Sequence, residues 1–294
     1  MADVDSLALE FEGHRPHLRG VAYRVLGSAG DAEDAVQEAW LRLSRSDVTD
    51  VVNLRAWLTT VVGRVALNML EARGARREDR DSGLPDGPDP RGQGDPQGEA
   101  LLGDAVGAAL QLVLDTLEPR ERLAFVLHDL FAVPFDEIAP VVGATPAAAR
   151  QLASRARRRL RATAPGPVAA SLAARAQRQR AVVDAFFAAA REAQFAALLE
   201  VLDPDVVLRA DAAAARMGAD DSVTGADVVA RWISGRARGA VAATVGDEPG
   251  AAWAVKGKVR VAFTFTIAAD GRIAAIDLIG DPAALAQLSV ELHR

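Results

Sequence analysis

The chain has 294 residues, half of them hydrophobic, and a net charge of −6 at pH 7, which together suit about two domains with substantial cores. It contains no cysteine, so disulfides, thiolate metal sites and cysteine nucleophiles are excluded. It has no apolar run of the roughly 18 residues that a membrane crossing needs, and its N-terminus is acidic, so we expect a soluble cytoplasmic protein with no membrane contact.

Residues 1–80 show three stretches of helical periodicity. Apolar residues recur at helical spacing over 7–27, and after a glycine-containing break a second helix is predicted over 31–45, capped by Asp31. A third helix is predicted over 54–73, with a wide apolar face that suits the core of a bundle. We therefore predict one helical domain for this segment.

The polar sides of these helices carry candidate contact residues. On the second helix, Leu41 lies among charged residues, which is found in partner surfaces and also in ordinary solvated faces. On the third helix, Thr60, Arg64 and Asn68 share one side through four-residue spacing. This side is a candidate contact surface. A plain bundle with surface arginines is the alternative.

Residues 81–104 have a different composition. They begin DSGLPDGPDPRGQGDPQG, a stretch rich in glycine, proline and aspartate with almost no apolar side chains. Such a sequence buries too little apolar surface to form a core. We predict an acidic linker that leads into a second helical domain over 105–164.

The second helical domain contains a helix-turn-helix pattern. A helix over 135–142 is followed by Gly143 and then by a helix that opens at Thr145 and Pro146, with the threonine as its cap. Pro140 falls inside the first of these helices, where it removes a hydrogen bond, so the angle between the two helices stays open.

The last helix of this domain is strongly basic. It carries six arginines and no acid over residues 150–161. A narrow apolar stripe is predicted to face the bundle, and the opposite side suits base edges in the major groove and DNA phosphates. That opposite side is predicted to carry Ala147, Arg150, Gln151, Ser154, Arg155 and Arg158. A solvated basic helix on a bundle is the alternative.

Residues 168–294 change in character from helix to strand. Helical periodicity over 168–202 is followed by alternating, strand-like segments, and Asp270-Gly271 between the last two strands is a hairpin signal. This order predicts an α+β cone with a curved antiparallel sheet. Strands are predicted near 206–208, 241–245, 251–255, 259–267 and 272–278, with a helix over 226–234.

Several stretches resemble the extracytoplasmic-function sigma factors of bacterial RNA polymerase. Leu-Glu-Pro-Arg-Glu-Arg at 117–122, Phe-Asp-Glu-Ile-Ala at 135–139 and Arg-Gln-Leu-Ala-Ser-Arg-Ala-Arg at 150–157 are similar to sigma region 4. DAEDAVQEAWLRL at 31–43 resembles region 2.2, and the run from 54 to 78 resembles regions 2.3 and 2.4. The resemblance to regions 2.3 and 2.4 implies that this helix, with the loop before it at 46–53, holds a separated DNA strand by phosphate contacts and by a pocket for an unstacked base. The C-terminal order of elements resembles the SnoaL-like branch of the NTF2-like superfamily, which a subgroup of these sigma factors carries.

The resemblance implies a function and a set of contacts. The chain would be an alternative sigma factor that binds core RNA polymerase through its beta and beta-prime subunits, recognises the −35 and −10 elements of promoter DNA and initiates transcription. It would not be an enzyme, and no cofactor or metal is expected. Polymerase contacts are expected at Asp34, Gln37, Glu38 and Leu41. Contacts with the −10 element are expected at Asn53, Arg55, Thr60, Arg64, Asn68, Arg73, Arg76 and Arg77. Contacts with the −35 element are expected at Thr145, Ala147, Arg150, Gln151, Ser154, Arg155 and Arg158.

The chain departs from that subgroup at three motifs. Gly83 precedes Leu84-Pro85 where the subgroup has tryptophan, residues 211–216 replace a glycine-rich motif, and residues 281–285 replace a motif near the end. Alanine in place of glycine removes positive-φ freedom and close backbone approach. The direction in which the C-terminal domain regulates activity therefore stays open. Regulatory contacts are expected at Leu84, Pro85, Asp211, Arg216, Asp281 and Pro282.

Two other functions fit parts of the sequence. An NTF2-like enzyme or small-molecule sensor, fused to a DNA-binding module, would need a carboxylate base inside an apolar cavity, and Asp205, Asp211 and Asp227 are the acids available. Each is more typical of a cap or a turn. A small-molecule ligand in the C-terminal domain is left open. A repressor that binds duplex DNA without polymerase is the third reading.

Overall fold

The computed structural model describes residues 4–46, 51, 53–80, 105–268 and 270–293. Contacts divide the chain into two compact units. The first consists of Met1–Asp129 with Asp136–Val168, and the second of Leu130–Phe135 with Ala169–Arg294. The two helical modules predicted over 1–80 and 105–164 therefore lie in one compact unit.

Three helices open the first unit. They are α1 (Val4–Leu26), α2 (Ala29–Leu43) and α3 (Leu54–Arg80). Their predicted apolar stripes meet in a core that includes the fully buried Leu18, Val36 and Leu58. The predicted cap at Asp31 is wrong: Ser28 caps α2, and its Oγ accepts a hydrogen bond from the Asp31 backbone N–H at 3.4 Å. Helix α3 continues past residue 73 to its arginine-rich end.

Further helices of this unit lie among the residues that the structure describes. They are α4 (Ala105–Leu114), α5 (Pro119–Phe125), α6 (Phe135–Val142) and α7 (Pro146–Thr163), with a π-helical turn (Val126–Leu130) after α5. The predicted cap of α7 is confirmed, since Thr145 Oγ1 accepts from the Ala148 backbone N–H at 3.2 Å. Gly143 has a φ of 64°, the left-handed conformation that the turn between α6 and α7 requires.

Pro140 does not break α6. The helix runs through it and ends two residues later, where the Ala144 N–H bonds to the Ala139 carbonyl at 2.9 Å. Because that bond bypasses the Pro140 carbonyl, the carbonyl is one of the orphan acceptors of a helix C-terminus. The partner that it takes lies on α3.

The two helical modules pack directly against each other within the first unit. A Cβ built at Gly63 on α3 would lie 3.2 Å from Leu127 Cδ1 and 3.5 Å from Leu123 Cδ1, so glycine permits a close approach there. Arg122 on α5, only 4 % exposed, donates to the Arg24 carbonyl at the end of α1 at 3.3 Å and to Asp115 at 2.6 Å. Burial lowers the pKa of Arg122, and Asp115 opposes that effect.

The second unit is a sheet with helices packed against it. The helices are α8 (Gly166–Arg191), α9 (Phe195–Val201), α10 (Ala212–Arg216), α11 (Ala226–Ile233) and α12 (Pro282–Gln287), with a 3-10 turn (Arg236–Gly239). The strands are β1 (Leu202–Ala210), β2 (Ser222–Thr224), β3 (Ala240–Val245), β4 (Glu248–Val255), β5 (Lys258–Ile267), β6 (Ile273–Ile279) and β7 (Val290–Leu292).

The strands pair in the order β2-β1-β6-β5-β4-β3-β7. Neighbours are antiparallel except β1 and β6, which run parallel, so the expectation of a wholly antiparallel sheet was wrong at that pair. The core between the helices and the sheet centres on four aromatic rings, Phe186, Phe187, Phe263 and Phe265, at centroid distances of 5.3 to 6.2 Å. Edge-to-face packing of this kind fixes the relative position of helix and sheet. The predicted α+β arrangement is confirmed.

Candidate polymerase and nucleic-acid interfaces

Helix α2 presents most of the predicted polymerase contacts on its outer side. Asp34, Gln37 and Leu41 are exposed, and Leu41 is 40 % exposed although it is a large apolar side chain. Glu38 is half-buried, and its carboxylate accepts from Arg42 Nε at 3.0 Å. The inner side of the same helix supplies buried Val36 and Ala39 to the core, so the two faces are separated as an amphipathic helix requires.

A cleft of about 330 Å³ lies between α2 and α3. Val65, Met69 and Ala72 form its apolar part. Its charged rim consists of two ion pairs, Glu38 with Arg42 and Asp31 with Arg73, and Asn68 completes the lining. The sequence predicted Glu38, Asn68 and Arg73 singly as contact residues, but their meeting in one cleft depends on how α2 and α3 pack, which the sequence pattern does not fix.

The start of α3 is held by a closed set of hydrogen bonds. Asn53 Oδ1 accepts from the Ala56 backbone N–H at 3.0 Å. Arg55 Nη2 lies 3.1 Å from His17 Nδ1, His17 Nε2 lies 3.0 Å from Thr59 Oγ1, and Thr59 donates to the Arg55 carbonyl at 2.7 Å. Burial, with the nearby Arg55 charge, lowers the pKa of His17 to about 4. The imidazole is therefore neutral at pH 7 and accepts from Arg55 through Nδ1.

The middle of α3 carries the predicted polar side. Arg64 and Asn68 are exposed, and Thr60 is half-buried with its hydroxyl donating to the Trp57 carbonyl at 2.8 Å. Arg64 Nη2 donates to the orphan Pro140 carbonyl at 2.6 Å, so this guanidinium caps the C-terminus of α6. A residue predicted to hold the −10 element thus joins the two helical modules here.

Some predicted residues lie outside what the structure describes. These are most of the loop at 46–53, the linker at 81–104 with Leu84 and Pro85, and the side chains of Arg76 and Arg77. Arg73, also in the −10 set, is half-buried, and its guanidinium pairs with Asp31 and donates to the Leu26 carbonyl at 3.3 Å.

Helix α7 departs from the predicted sorting of its faces. Thr145, Arg155 and Arg158 are exposed, and Ala147 and Gln151 are half-buried. Arg150 and Ser154, predicted on the outward side, are 4 % and 6 % exposed, so this part of the prediction was wrong. A helix whose neighbours cover more than half its circumference buries the edges of its polar side, and an apolar stripe alone does not show where that cover ends. Ser154 also accepts from Arg158 Nη1 at 2.9 Å.

Acids on the preceding segment hold three arginines of α7. Glu121 on α5 lies 2.8 Å from Arg155 Nε and 2.9 Å from Arg159 Nη1. Asp129 in the π-helical turn accepts from Arg157 Nη1 at 2.8 Å, and both of those side chains are buried. Burial opposes ionisation of Asp129, but the charges and hydrogen bonds of Arg157 and His128 together outweigh it and lower the pKa of Asp129 to about 2. The sequence showed the arginines but gave no spacing signal for these carboxylates.

Two segments of the C-terminal domain that differ from the subgroup's motifs, 211–216 and 281–285, are joined by hydrogen bonds in the structure. Asp211 Oδ1 accepts from the backbone N–H groups of Ala213 and Ala214, and Oδ2 accepts from those of Gly280 and Asp281, all at 2.7 to 3.0 Å. Arg216, Asp281 and Pro282 are exposed near this junction. Asp211 therefore joins α10 to the end of β6.

The three acids considered for an enzyme are not placed as bases. Both oxygens of Asp211 are occupied by backbone donors, and Asp205 and Asp227 are exposed. A general base needs an oxygen free to reach a substrate within an apolar cavity.

Among the described residues, no helix has the length and apolar character of a membrane span.

Comparisons with known proteins show clear similarity along the whole chain. Residues 11–76 match the family Sigma-70 region 2, and residues 107–160 match Sigma-70, region 4. The chain is 40 % identical over 236 residues to the ECF RNA polymerase sigma factor SigJ of Mycobacterium tuberculosis, covering 77 % of this chain and 72 % of SigJ. It is 33 % identical over 294 residues to the probable ECF RNA polymerase sigma factor SigI of the same species, covering 99 % of each.

A solved structure was also found. The crystal structure of the Mycobacterium tuberculosis extracytoplasmic function sigma factor SigJ covers 95 % of this chain and 98 % of its own, with 33 % sequence identity and a TM-score of 0.39. Because this TM-score is low, the family relationship rests on the sequence identity and not on the structural superposition.

Proposed function

The chain belongs to the extracytoplasmic-function family of RNA polymerase sigma factors, and from this premise we propose how its surfaces divide the work. It is an alternative sigma factor that binds DNA and acts in transcription initiation. Core polymerase docks on the outer face of α2, α3 holds the −10 element, and α7 enters the major groove at the −35 element. The protein acts in the cytoplasm.

The observation that carries the polymerase contact is the exposed side of α2. Asp34, Gln37 and Leu41 lie at helical spacing on it, and an apolar side chain 40 % exposed between polar neighbours suits a partner surface. Beta-prime is the subunit that docks here.

Contact with the −10 element uses the polar side of α3. Asn53, just before α3, and Arg64 and Asn68 on its polar side are exposed, so they can follow a single strand over several nucleotides, and Arg55 is exposed at the start of the helix. Thr60 and Arg73 support that surface, and Arg76 and Arg77 extend it. The cleft beside Asn68, of about 330 Å³, offers an apolar wall and an amide to an unstacked base.

Contact with the −35 element uses the start of α7. Thr145, Ala147 and Gln151 lie where a recognition helix meets base edges, and Arg155 and Arg158 are exposed further along toward phosphates. Arg150 and Ser154 are buried in this structure, so they contribute only after a rearrangement.

Promoter engagement requires the two modules to separate. The −35 and −10 elements are about 25 base pairs apart by their names, which is roughly 85 Å at 3.4 Å per base pair. Here α3 touches α5 at Gly63, and Arg64 donates to the Pro140 carbonyl at 2.6 Å. One protein cannot place both helices on their elements in this arrangement. We infer that polymerase holds the modules apart.

The C-terminal domain modulates this activity and is not an enzyme. Support comes from Asp211, which binds four backbone N–H groups and so has a structural role. The exposed Arg216, Asp281 and Pro282 are the proposed regulatory contacts, with Leu84 and Pro85 of the linker.

Reconstituted run-off transcription tests the proposal. Core polymerase with the full-length chain is given a pool of randomised promoters, and the transcribed templates are sequenced. We expect transcripts that depend on the chain and share two sequence blocks. Arg64→Ala with Asn68→Ala should relax the block nearer the start, and Gln151→Ala the other. Templates that share no block would contradict the assignment of both helices.

A further inference from the structure

Glu121 stands out as a buried acid behind the recognition helix α7. Its side chain is 5 % exposed, and its two oxygens face two arginines of α7. Oε1 accepts from Arg155 Nε at 2.8 Å, and Oε2 lies 2.9 Å from Arg159 Nη1. Both arginine side chains are nearly half exposed, at 45 % and 48 %.

The pairing leaves a smaller positive charge on this part of α7 than the sequence suggests. Arg155 and Arg159 are one helical turn apart, and with Glu121 their net charge is +1 instead of +2. Because the carboxylate is buried, salt screens it less than it would an exposed acid. Arg158, between them, donates to the neutral Ser154 hydroxyl at 2.9 Å.

We propose that Glu121 sets the DNA affinity of the region 4 module by neutralising arginines that would otherwise bind phosphates. This rests on the proposed function, in which α7 faces DNA. Phosphate neutralisation supplies most of the affinity that does not depend on sequence. With Arg155 and Arg159 partly neutralised, the module binds DNA weakly by itself and depends on polymerase for a stable promoter complex.

The test measures how the affinity of the full-length chain for a mixed-sequence 30-base-pair DNA duplex depends on salt concentration. Fluorescence anisotropy reports the binding. Glu121→Gln removes the carboxylate charge while keeping the side-chain size. The slope of log affinity against log salt should steepen by about 0.9 for each additional phosphate that the protein neutralises, so by about 1 to 2. Every such phosphate adds about a three- to fourfold fall in affinity between 50 and 200 mM salt.

Glu118→Gln is the matched control. Glu118 lies one turn earlier at the start of α5, is exposed, and its side chain makes no capping hydrogen bond. The substitution changes the net charge by the same amount without touching Arg155 or Arg159. Its slope should stay within a few tenths of the wild type.

A second variant separates pairing from net charge and from unfolding. Glu121→Asp keeps the charge but is one methylene shorter, so it cannot reach both guanidinium groups. Its slope should fall between the wild type and Glu121→Gln. Adding Arg155→Ala and Arg159→Ala to Glu121→Gln should abolish the steepening.

Three results would overturn the proposal. The first is a salt slope for Glu121→Gln that is no steeper than the slope for Glu118→Gln. The second is a salt slope for Glu121→Asp equal to that of the wild type, in a Glu121→Asp protein that melts cooperatively. The third is the absence of DNA binding by Glu121→Gln at 50 mM salt. A negative result here leaves run-off transcription unaffected, so it is distinct from failure of the proposed function.

Discussion

The outer faces of α2 and α7 are both predicted to contact large partners, but they differ in how many of their contact residues are already exposed and free of contacts with other helices. On α2, Asp34, Gln37 and Leu41 already face solvent, and Glu38 pairs with Arg42 on the same helix. On α7, Arg150 is buried and Arg155 is held by Glu121 from another helix. A partner can therefore dock on α2 without rearranging the protein, whereas α7 must exchange internal contacts for DNA contacts.

The largest expected effect is on the free energy of unfolding, and it comes from the buried ion pair between Asp129 and Arg157 of α7. Asp129→Asn removes the carboxylate charge beside the buried Arg157, which should cost about 3–5 kcal/mol of unfolding free energy. Urea unfolding followed by circular dichroism measures it. Asp34→Asn, at an exposed acid on α2, is the control and should cost less than about 0.5 kcal/mol. Equal values for the two variants would show that the buried pair contributes nothing special.

The same ion pair predicts that the folded protein loses stability in acid. The folded pKa of Asp129 is about 2, below its ordinary value of 3.8, so its stabilisation is complete above pH 4 and is lost as pH falls toward 2. Asp129→Asn should therefore flatten the stability curve below pH 4. A wild-type curve and a variant curve that run parallel through this range would contradict the assignment.

The next effect concerns polymerase docking on α2. Leu41→Ala should weaken binding to core polymerase by about 2 kcal/mol, which is roughly 30-fold, because exposed apolar anchors dominate such interfaces. Biolayer interferometry with immobilised core enzyme measures the change. Leu9→Ala, at a 77 % exposed leucine on α1, is the matched control and should bind as the wild type does. Loss of affinity in both would mean that the exposed leucines matter only for solubility.

Smaller effects distinguish base reading from phosphate binding on α7. Gln151→Ala should cost about 1–3 kcal/mol on the selected −35 sequence and nothing on a scrambled one. Arg158→Ala should weaken both alike and reduce the salt slope by about 1. Holoenzyme binding to the two duplexes over a salt series separates them. The assignment is wrong if Arg158→Ala discriminates between the sequences and Gln151→Ala does not.

How far the sequence could predict this molecule differs between elements. The strands from β3 to β6 and the cap at Thr145 followed from alternation and from turn chemistry, which are local. The burial of Arg150 and the Arg64 contact with Pro140 depend on elements far apart in the chain, and no local period reports them. The orphan carbonyl at Pro140 was a partial signal, since such groups need a donor.

The smallest effect is a pH dependence at the start of α3. The folded pKa of His17, about 4, lies below its ordinary value of 6.5, so the unfolded chain takes up the proton first and stability falls as pH drops from 6.5 toward 4. The loss should be roughly 1 kcal/mol at pH 5.5. His17→Gln should remove this slope in thermal melts and His14→Gln should keep it; a slope that survives in His17→Gln would rule out His17 as its source.

The separation of the two helical modules can be measured directly, because the chain has no cysteine to remove. Ser44→Cys beside α2 and Thr163→Cys at the end of α7 are exposed positions for a donor and an acceptor dye. Single-molecule energy transfer would compare the free chain with its complex with core polymerase and a selected promoter. Our account predicts high transfer in the free chain and a distance longer by tens of ångströms in the promoter complex. Unchanged transfer in a complex that makes transcript would contradict it.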